Sequence, residues 1–364
     1  MENKRLLSLD ILRGLTIILM IVVNDPGSWS HVYAPLLHAE WNGITPTDYV
    51  FPSFLFIVGV SIVLSMNKQQ EQGKSRSELI KKVLFRAIKI YAVGIFLWLW
   101  PSFNFEGIRW VGVLPRIAFV YLACTLLYLY TSRKIQWYFG LSAILGYWLV
   151  MAYLPVPGIG FPDLSVPEKN WAHYIDNLLL PGRLWKDTWD PEGILSTLPA
   201  IVSGLIGMWA GYILLQKDDL KNRLNQLFFY GFILLFLGDL MQWFFPFNKN
   251  LWSSSFTLFM GGIGMLALAS FSYFFDVKQS RYQFKFAHAF GVNSITAYSL
   301  SSLLTVVFYS SKWWGISLNA EFMSFGEQLG LPLKLTSLIY ALLYVLILWI
   351  PVQILFKKKI YIKL

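Results

Sequence analysis

A chain of 364 residues that is 56% hydrophobic and 14% charged, with a mean hydropathy of +0.53, is too apolar for a water-soluble domain, where about a quarter of residues carry charge. Its single cysteine, Cys124, excludes an intrachain disulfide and a cysteine-cluster metal site, and reads as a buried structural thiol. The net charge of +10 invites a nucleic-acid reading, but the placement of the basic residues argues against one.

Apolar runs near 20 residues, enough for a ~30 Å hydrocarbon core, alternate with short polar loops. The fold class is therefore all-α, a polytopic membrane helical bundle of about ten transmembrane helices. They are expected at 6–23, 46–66, 83–100, 111–131, 137–154, 193–215, 226–244, 252–275, 287–309 and 333–356. A β-barrel would show alternating segments of ~10 residues, which the sequence lacks. MENKRLLSLD has a basic start, but no small-residue cleavage site follows, so the first run reads as a helix rather than a signal peptide. One membrane domain, 1–364, is expected. With the N-terminus inside, the inner segments carry 20 of the 30 Lys and Arg residues, among them Lys4, Arg5, Arg281 and Lys363. The outer loops carry six: Arg109, Lys169, Arg183, Lys186, Lys249 and Lys312. This bias places both termini in the cytoplasm. It makes the basic charge a topology signal, and no nucleic-acid partner is expected.

Helix 1 carries Asp10 and Arg13 in LSLDILRGL, on one face and able to pair. Charge near the centre of a span costs ~2.5–3.5 kcal/mol, so the two form either a structural ion pair or a ligand contact. Asn24 ends this helix on the outer side. The next loop runs into LHAEWNGITPTDYVFPSF, which sets His38, Glu40, Trp41, Asn42 and Asp48 at the mouth of helix 2. Thr45 or Thr47 is expected to cap that helix, with Asp48 in its first turn, where a carboxylate suits the helix dipole. Pro52 is expected to kink it. The chain has four histidines, His31, His38, His173 and His288, and no HExxH-like pattern, so no metal is expected. An isolated outer-loop histidine is ordinarily solvated; His38 stands out as a general base through its polar neighbours.

Further along, Lys89 falls within a span. In RWVGVLPRIAFVYL, Arg109 and Arg116 share a face if both are helical, and Arg116, inside a span, needs a carboxylate or a bound anion. WDPEGILSTLPAI sets Asp190 and Glu192 before a helix that opens with Ser196 and Thr197. That is either an ordinary acidic cap or an anion site at a helix N-terminus. Asn293 and Ser294 lie in the ninth expected span, where such residues commonly hydrogen-bond between helices. Trp29, Trp41, Trp171, Trp185, Trp189, Trp313 and Trp314 sit in outer loops, as an interfacial belt or as faces for a sugar.

LSLDILRGLTIILMIVVN followed by HAEWNGITPTDYVFPSFLFIVGVSIVLSM resembles the heparan-α-glucosaminide N-acetyltransferase family. The resemblance continues through VGVLPRIAFVYL, YIDNLLL, WDPEGILSTLPAIVSGLIGMWAG and NKNLWSSSFT to GVNSITAYSL, over residues 5 to 300. It implies transfer of an acetyl group from acetyl-CoA to the amine of a glucosamine unit. The family's active-site histidine falls on His38 and its neighbouring asparagine on Asn24, with slightly longer spacing here, from an insertion in the SWSHVYAPLL region. A homodimer is implied as well. The animal enzyme's luminal N-terminal domain and extra span are not expected here, so the implied location is a bacterial inner membrane rather than a lysosome.

On that resemblance, His38 is expected as general base or acetyl carrier, Asn24 as oxyanion donor and Asp48 as the group that orients His38. Arg13, Lys89, Arg116 and Ser196 are expected to contact CoA. Trp41, Asn42, Asp190, Glu192 and Asn293 are expected on the acceptor side. The expected partners are acetyl-CoA, an amino sugar and membrane lipid. The competing readings are a transporter or flippase, and an acyltransferase acting on another periplasmic glycan or lipid-linked sugar.

Overall fold

The computed structural model describes residues 6–279 and 284–362; Lys4, Arg5, Arg281 and Lys363 of the inner basic set lie outside them. Regular structure is helical. In chain order it comprises α1 (Leu7–Asn24), two 3-10 turns (Ala34–Leu36 and Pro46–Tyr49), α2 (Val50–Glu71), α3 (Arg76–Leu99), α4 (Val113–Tyr130) and α5 (Arg133–Tyr153). A short α6 (Trp171–Leu179) precedes α7 (Thr197–Leu214), α8 (Leu220–Met241) and α9 (Ser254–Ser272), which continues as a π-turn (Tyr273–Val277). Then come α10 (Lys285–Val292), α11 (Ser294–Tyr309), α12 (Ser311–Trp314), α13 (Leu318–Gln328) and α14 (Leu333–Lys357).

Eight of the described helices are long and apolar enough to cross a membrane: α1, α2, α4, α5, α7, α8, α9 and α14. The ten expected spans change in two places. The run 287–309 is α10 and α11, bent by 87° at Asn293, so it is a broken span or a re-entrant loop. The run 83–100 is helical, as part of α3, but α3 carries Arg76, Glu78, Lys81, Lys82, Arg86 and Lys89, a heavier charge load than the other eight. Pro52 also acts differently from the expectation. It falls in the first turn of α2, where a backbone N–H would have no partner within the helix, so it marks the helix start rather than a break.

The chain groups into two compact units. The first comprises Met1–His38, Thr45–Val50 and Phe271–Leu364. Its spine is α1 against α10, with α11 and α14 alongside. Close approach rests on glycine: a Cβ at Gly14 would overlap the Ala287 carbonyl, and one at Gly291 would overlap the Asp10 carbonyl. The second unit comprises Ala39–Ile44 and Phe51–Ser270. Most side chains of α7 are buried there, packed by α4, α5 and α8. Gly207 and Gly211 on α7 let α2 come in at Phe56 and Val63, and Gly204 lets α4 come in at Val120 and Cys124. Cys124 is fully buried, its sulfur against the Ile201 carbonyl at 3.5 Å.

Candidate active site

The polar stretch before α2 folds into the two 3-10 turns. Thr47 Oγ1 donates to the Pro35 carbonyl (3.1 Å) and Thr45 Oγ1 to the Leu37 carbonyl (2.6 Å), which joins the turns. Asp48 is 1% exposed and divides its carboxylate. Oδ2 accepts from the Thr45 backbone N–H at 3.0 Å and from the Thr45 hydroxyl at 3.2 Å, which closes the helix start. Oδ1 lies 2.6 Å from His38 Nδ1. A carboxylate only accepts, so the hydrogen sits on Nδ1 and the basic lone pair on Nε2. The His38 side chain is 45% exposed over this buried partner. Capping and orientation of His38 are thus both performed by Asp48.

Asn24 is exposed at the end of α1. The residue after it, Asp25, escaped the sequence reading. It is buried and accepts from Thr305 Oγ1 at 2.5 Å, while the Tyr309 hydroxyl donates to the Pro26 carbonyl. Burial pushes the Asp25 carboxyl up to about 7, against the lowering effect of Thr305. The signal was available, since a carboxylate directly after an apolar run has to be hydrated or held.

At the other end of α1, Arg13 pairs with Asp10 at 3.2 Å, as the spacing implies, and donates to the Gly291 carbonyl at 3.3 Å. His288 Nε2 stands 3.8 Å from Asp10. Asn293 is buried at the break between α10 and α11, and neither of its amide atoms has a hydrogen-bond partner among the described residues. Asp10, Arg13, His288 and Asn293 therefore belong to the first unit, as do Asn24, His38 and Asp48.

The remaining expected site residues lie in the second unit. Arg109 is not helical, so its supposed shared face with Arg116 does not exist. It sits in the loop before α4, bridged to Gly182. Its Nε and Nη2 grip Asp190 at 2.6 Å each, and Nη2 also reaches Glu192 at 2.5 Å. Trp185 and Trp98 face the guanidinium at 5.0 and 5.8 Å. Burial disfavours the Arg109 charge, but the two carboxylates outweigh it and hold its pKa above the ordinary value. Burial likewise pushes Glu192 up, and Arg109, Arg116 and Lys249 together bring it below the usual carboxylate range.

Arg116 makes no ion pair with a carboxylate among the described residues. Its Nη2 donates to the Gly193 carbonyl at 3.0 Å and to Ser196 Oγ, and its plane covers Trp252 at 5.2 Å. Asp176 of α6 accepts from the Ile194 N–H at 2.8 Å. The segment 190–196 before α7 is thus clamped by two arginines and one acid. Trp41 Nε1 donates to the Leu164 carbonyl at 2.8 Å and packs edge-on against Trp189. Asn42 also reaches Leu164 and accepts from Asn248 Nδ2 at 3.0 Å. Lys89 lies over the Phe85 ring.

Burial also pushes Asp176 up to about 7, opposed by the Ile194 N–H and Arg116. Asp25 and Asp176 therefore share a sign. Each folded-state value lies above that of an unfolded carboxyl, so their stabilising contribution is present at low pH and is lost as pH rises through about 7. Melting temperature in detergent should fall between pH 5 and 8, each group contributing on the order of 2–4 kcal/mol. Asp176→Asn keeps an acceptor for Ile194 and should remove part of the slope; a flat wild-type profile would contradict this.

A family model described as heparan-alpha-glucosaminide N-acetyltransferase, catalytic, matches residues 5–245. That segment holds Asn24, His38, Asp48 and the Arg109 cluster. Heparan-alpha-glucosaminide N-acetyltransferase of Mus musculus is 30% identical over 351 residues, covering 81% of this chain and 53% of the relative. The Homo sapiens protein of the same name is 31% identical over 351 residues, covering 81% and 52%. The chain thus spans about half the length of the curated relatives it matches.

Proposed function

This chain belongs to the heparan-alpha-glucosaminide N-acetyltransferase catalytic family, and on that premise we propose that it is a multi-pass membrane enzyme moving acetyl from acetyl-CoA to an amino sugar of the glucosamine type. The observation that carries the reading is the His38–Asp48 pair at 2.6 Å, a half-exposed imidazole oriented by a buried carboxylate.

A sugar amine with a pKa near that of an α-amino group, ~8, is largely protonated at neutral pH and attacks a thioester only after losing that proton. His38 Nε2 takes it. The amine nitrogen bonds to the thioester carbonyl carbon, and the Asn24 amide donates to the oxyanion that develops. The carbon–sulfur bond then breaks, and the thiolate recovers the proton from His38 to leave as CoA. The buried Asp48 carboxylate stabilises the imidazolium between these steps. Direct transfer is favoured over an acetyl-His38 intermediate because the pair is arranged as a base and its orienter. Arg13 is the proposed contact to the CoA phosphates. Arg116 and Ser196 bond each other and are assigned to the frame. We place the chain in a bacterial inner membrane with both termini in the cytoplasm, as a homodimer; the positive-inside bias supports the orientation.

Purified protein given acetyl-CoA and glucosamine should release CoA, and should release none when glucosamine is replaced by N-acetylglucosamine, which has no amine to acylate. Release independent of acceptor, or none with any amino sugar, would overturn the reading. The bent pair α10–α11 with Asn293 buried at its break favours the alternative, a transporter. A transporter would move sugar without consuming acetyl-CoA.

A further inference from the structure

The second unit carries a pocket of about 450 Å³ that acetyl transfer leaves unexplained. It lies where the ends of α2, α4 and α7 meet the starts of α3 and α5, and Gln70, Arg76, Tyr128, Ser132, Arg133 and Tyr212 line it. One wall is fixed: Tyr128 and Tyr212 stack with centroids 6.0 Å apart and planes 13° apart. Their hydroxyls are tied at 3.2 Å to Gln70 Oε1 and Gln136 Oε1. Gln136 is itself buried and held to the Leu127 carbonyl.

The pocket is cationic by construction. The Arg133 guanidinium lies on the Tyr212 face at 4.3 Å. Arg76 and Arg133 are the first residues of α3 and α5, after the cap serines Ser75 and Ser132. Each arginine therefore adds its charge to the positive end of a helix dipole, where an anion is the favoured neighbour. The first turn of α5 has no acid to offset this, and Lys134 follows. Among the described residues neither guanidinium has an ion pair. The nearby acids are engaged elsewhere: Glu71 accepts from Asn67 Nδ2 at 2.8 Å, and Glu78 from the Ser75 N–H at 3.0 Å.

The depth of the pocket identifies what reaches it. Tyr130, Trp137 and Tyr138 are exposed beside it on the end of α4 and the start of α5, and aromatic residues so placed mark the level of lipid headgroups. We propose that this pocket is a phosphate-ester site that seats the headgroup of an anionic glycerophospholipid, with Arg76 and Arg133 on the phosphate and the Tyr128–Tyr212 stack against the glycerol. Planar guanidinium groups match phosphate oxygens two at a time. A choline headgroup would bring its own cation toward two arginines, so the site discriminates against it. The proposal does not depend on the acetyl-transfer reading.

The test is native mass spectrometry of the full chain after equilibration with phosphatidylglycerol or phosphatidylcholine. Wild type should retain phosphatidylglycerol at least tenfold better. The double variant Arg76→Ala/Arg133→Ala should lose that preference, with its circular dichroism and melting temperature unchanged; Lys357→Ala/Lys358→Ala should keep it. If the double variant does not fold, Arg133→Lys tests the same point, since it keeps the charge and gives up the planar fork, and should reduce retention. Equal retention of the two lipids by wild type, or a preference indifferent to both arginines, overturns the proposal. A parallel arm adds adenosine 3′,5′-bisphosphate. Displacement of bound lipid by it supports a phosphate site open to soluble esters; arginine-dependent binding of the nucleotide with no lipid preference overturns the lipid as the source.

Discussion

His38→Ala should lower acetyl transfer by about 10²–10⁴-fold, the range a positioned general base contributes. Binding of acetyl-CoA should change little, and the melting temperature should fall modestly, because the buried Asp48 Oδ1 loses its imidazole partner. Asp48→Asn separates the two duties of the carboxylate. An asparagine can still accept from the Thr45 N–H, so the start of α2 should hold. It no longer presents a negative oxygen to His38 Nδ1, so the imidazolium loses its counter-charge and turnover should drop by about 10–100-fold with KM for the acceptor nearly constant. A pH–rate profile distinguishes a base from a packing residue. In wild type kcat/KM should rise with pH by more than the acceptor amine's own loss of a proton accounts for, and in His38→Ala only the amine's share of that limb should remain. A His38→Ala enzyme that retains wild-type turnover and the same limb would move the base elsewhere.

What could be read from the chain follows the range of the interactions involved. Apolar runs are local, and eight of them became helices long and apolar enough to cross a membrane. The cap at Asp48 was legible because it acts across three residues. The contact of the same carboxylate with His38 needs the turn at Ala34–Leu36 to bring the histidine back, and only the family resemblance pointed there. The 87° break at Asn293 was not visible, since AFGVNSITAY contains no proline and remains apolar through the bend. Arg109 was placed in an outer loop, but its partners there lie 81 and 83 residues away. Spacing within one segment carries no trace of a pair made that far along the chain. Asp190 and Glu192 were read as an acidic cap or an anion site and, on the resemblance, as acceptor contacts; nothing local shows that an arginine holds them.

That ion-pair cluster yields the largest expected effect on stability. Arg109→Met should cost about 3–5 kcal/mol, because it leaves Asp190 and Glu192 buried side by side with their shared cation removed. Arg109→Lys should be intermediate: a point charge cannot grip Asp190 with two parallel bonds and still reach Glu192. The damage should spread to α7, whose entry segment 190–196 is held by Arg109, Arg116 and Asp176 together. Gly193 has no room to adapt, since a Cβ there would overlap the Asp176 carboxylate. Melting in detergent measures the loss, and Arg109→Met within about 1 kcal/mol of wild type would show that the cluster does not hold the segment. Glu192→Gln then separates frame from substrate contact. A frame residue should lower the melting temperature and leave KM for the amino sugar unchanged in the folded fraction. A raised KM at constant melting temperature would return Glu192 to the acceptor side, with Arg109 as the group that positions it.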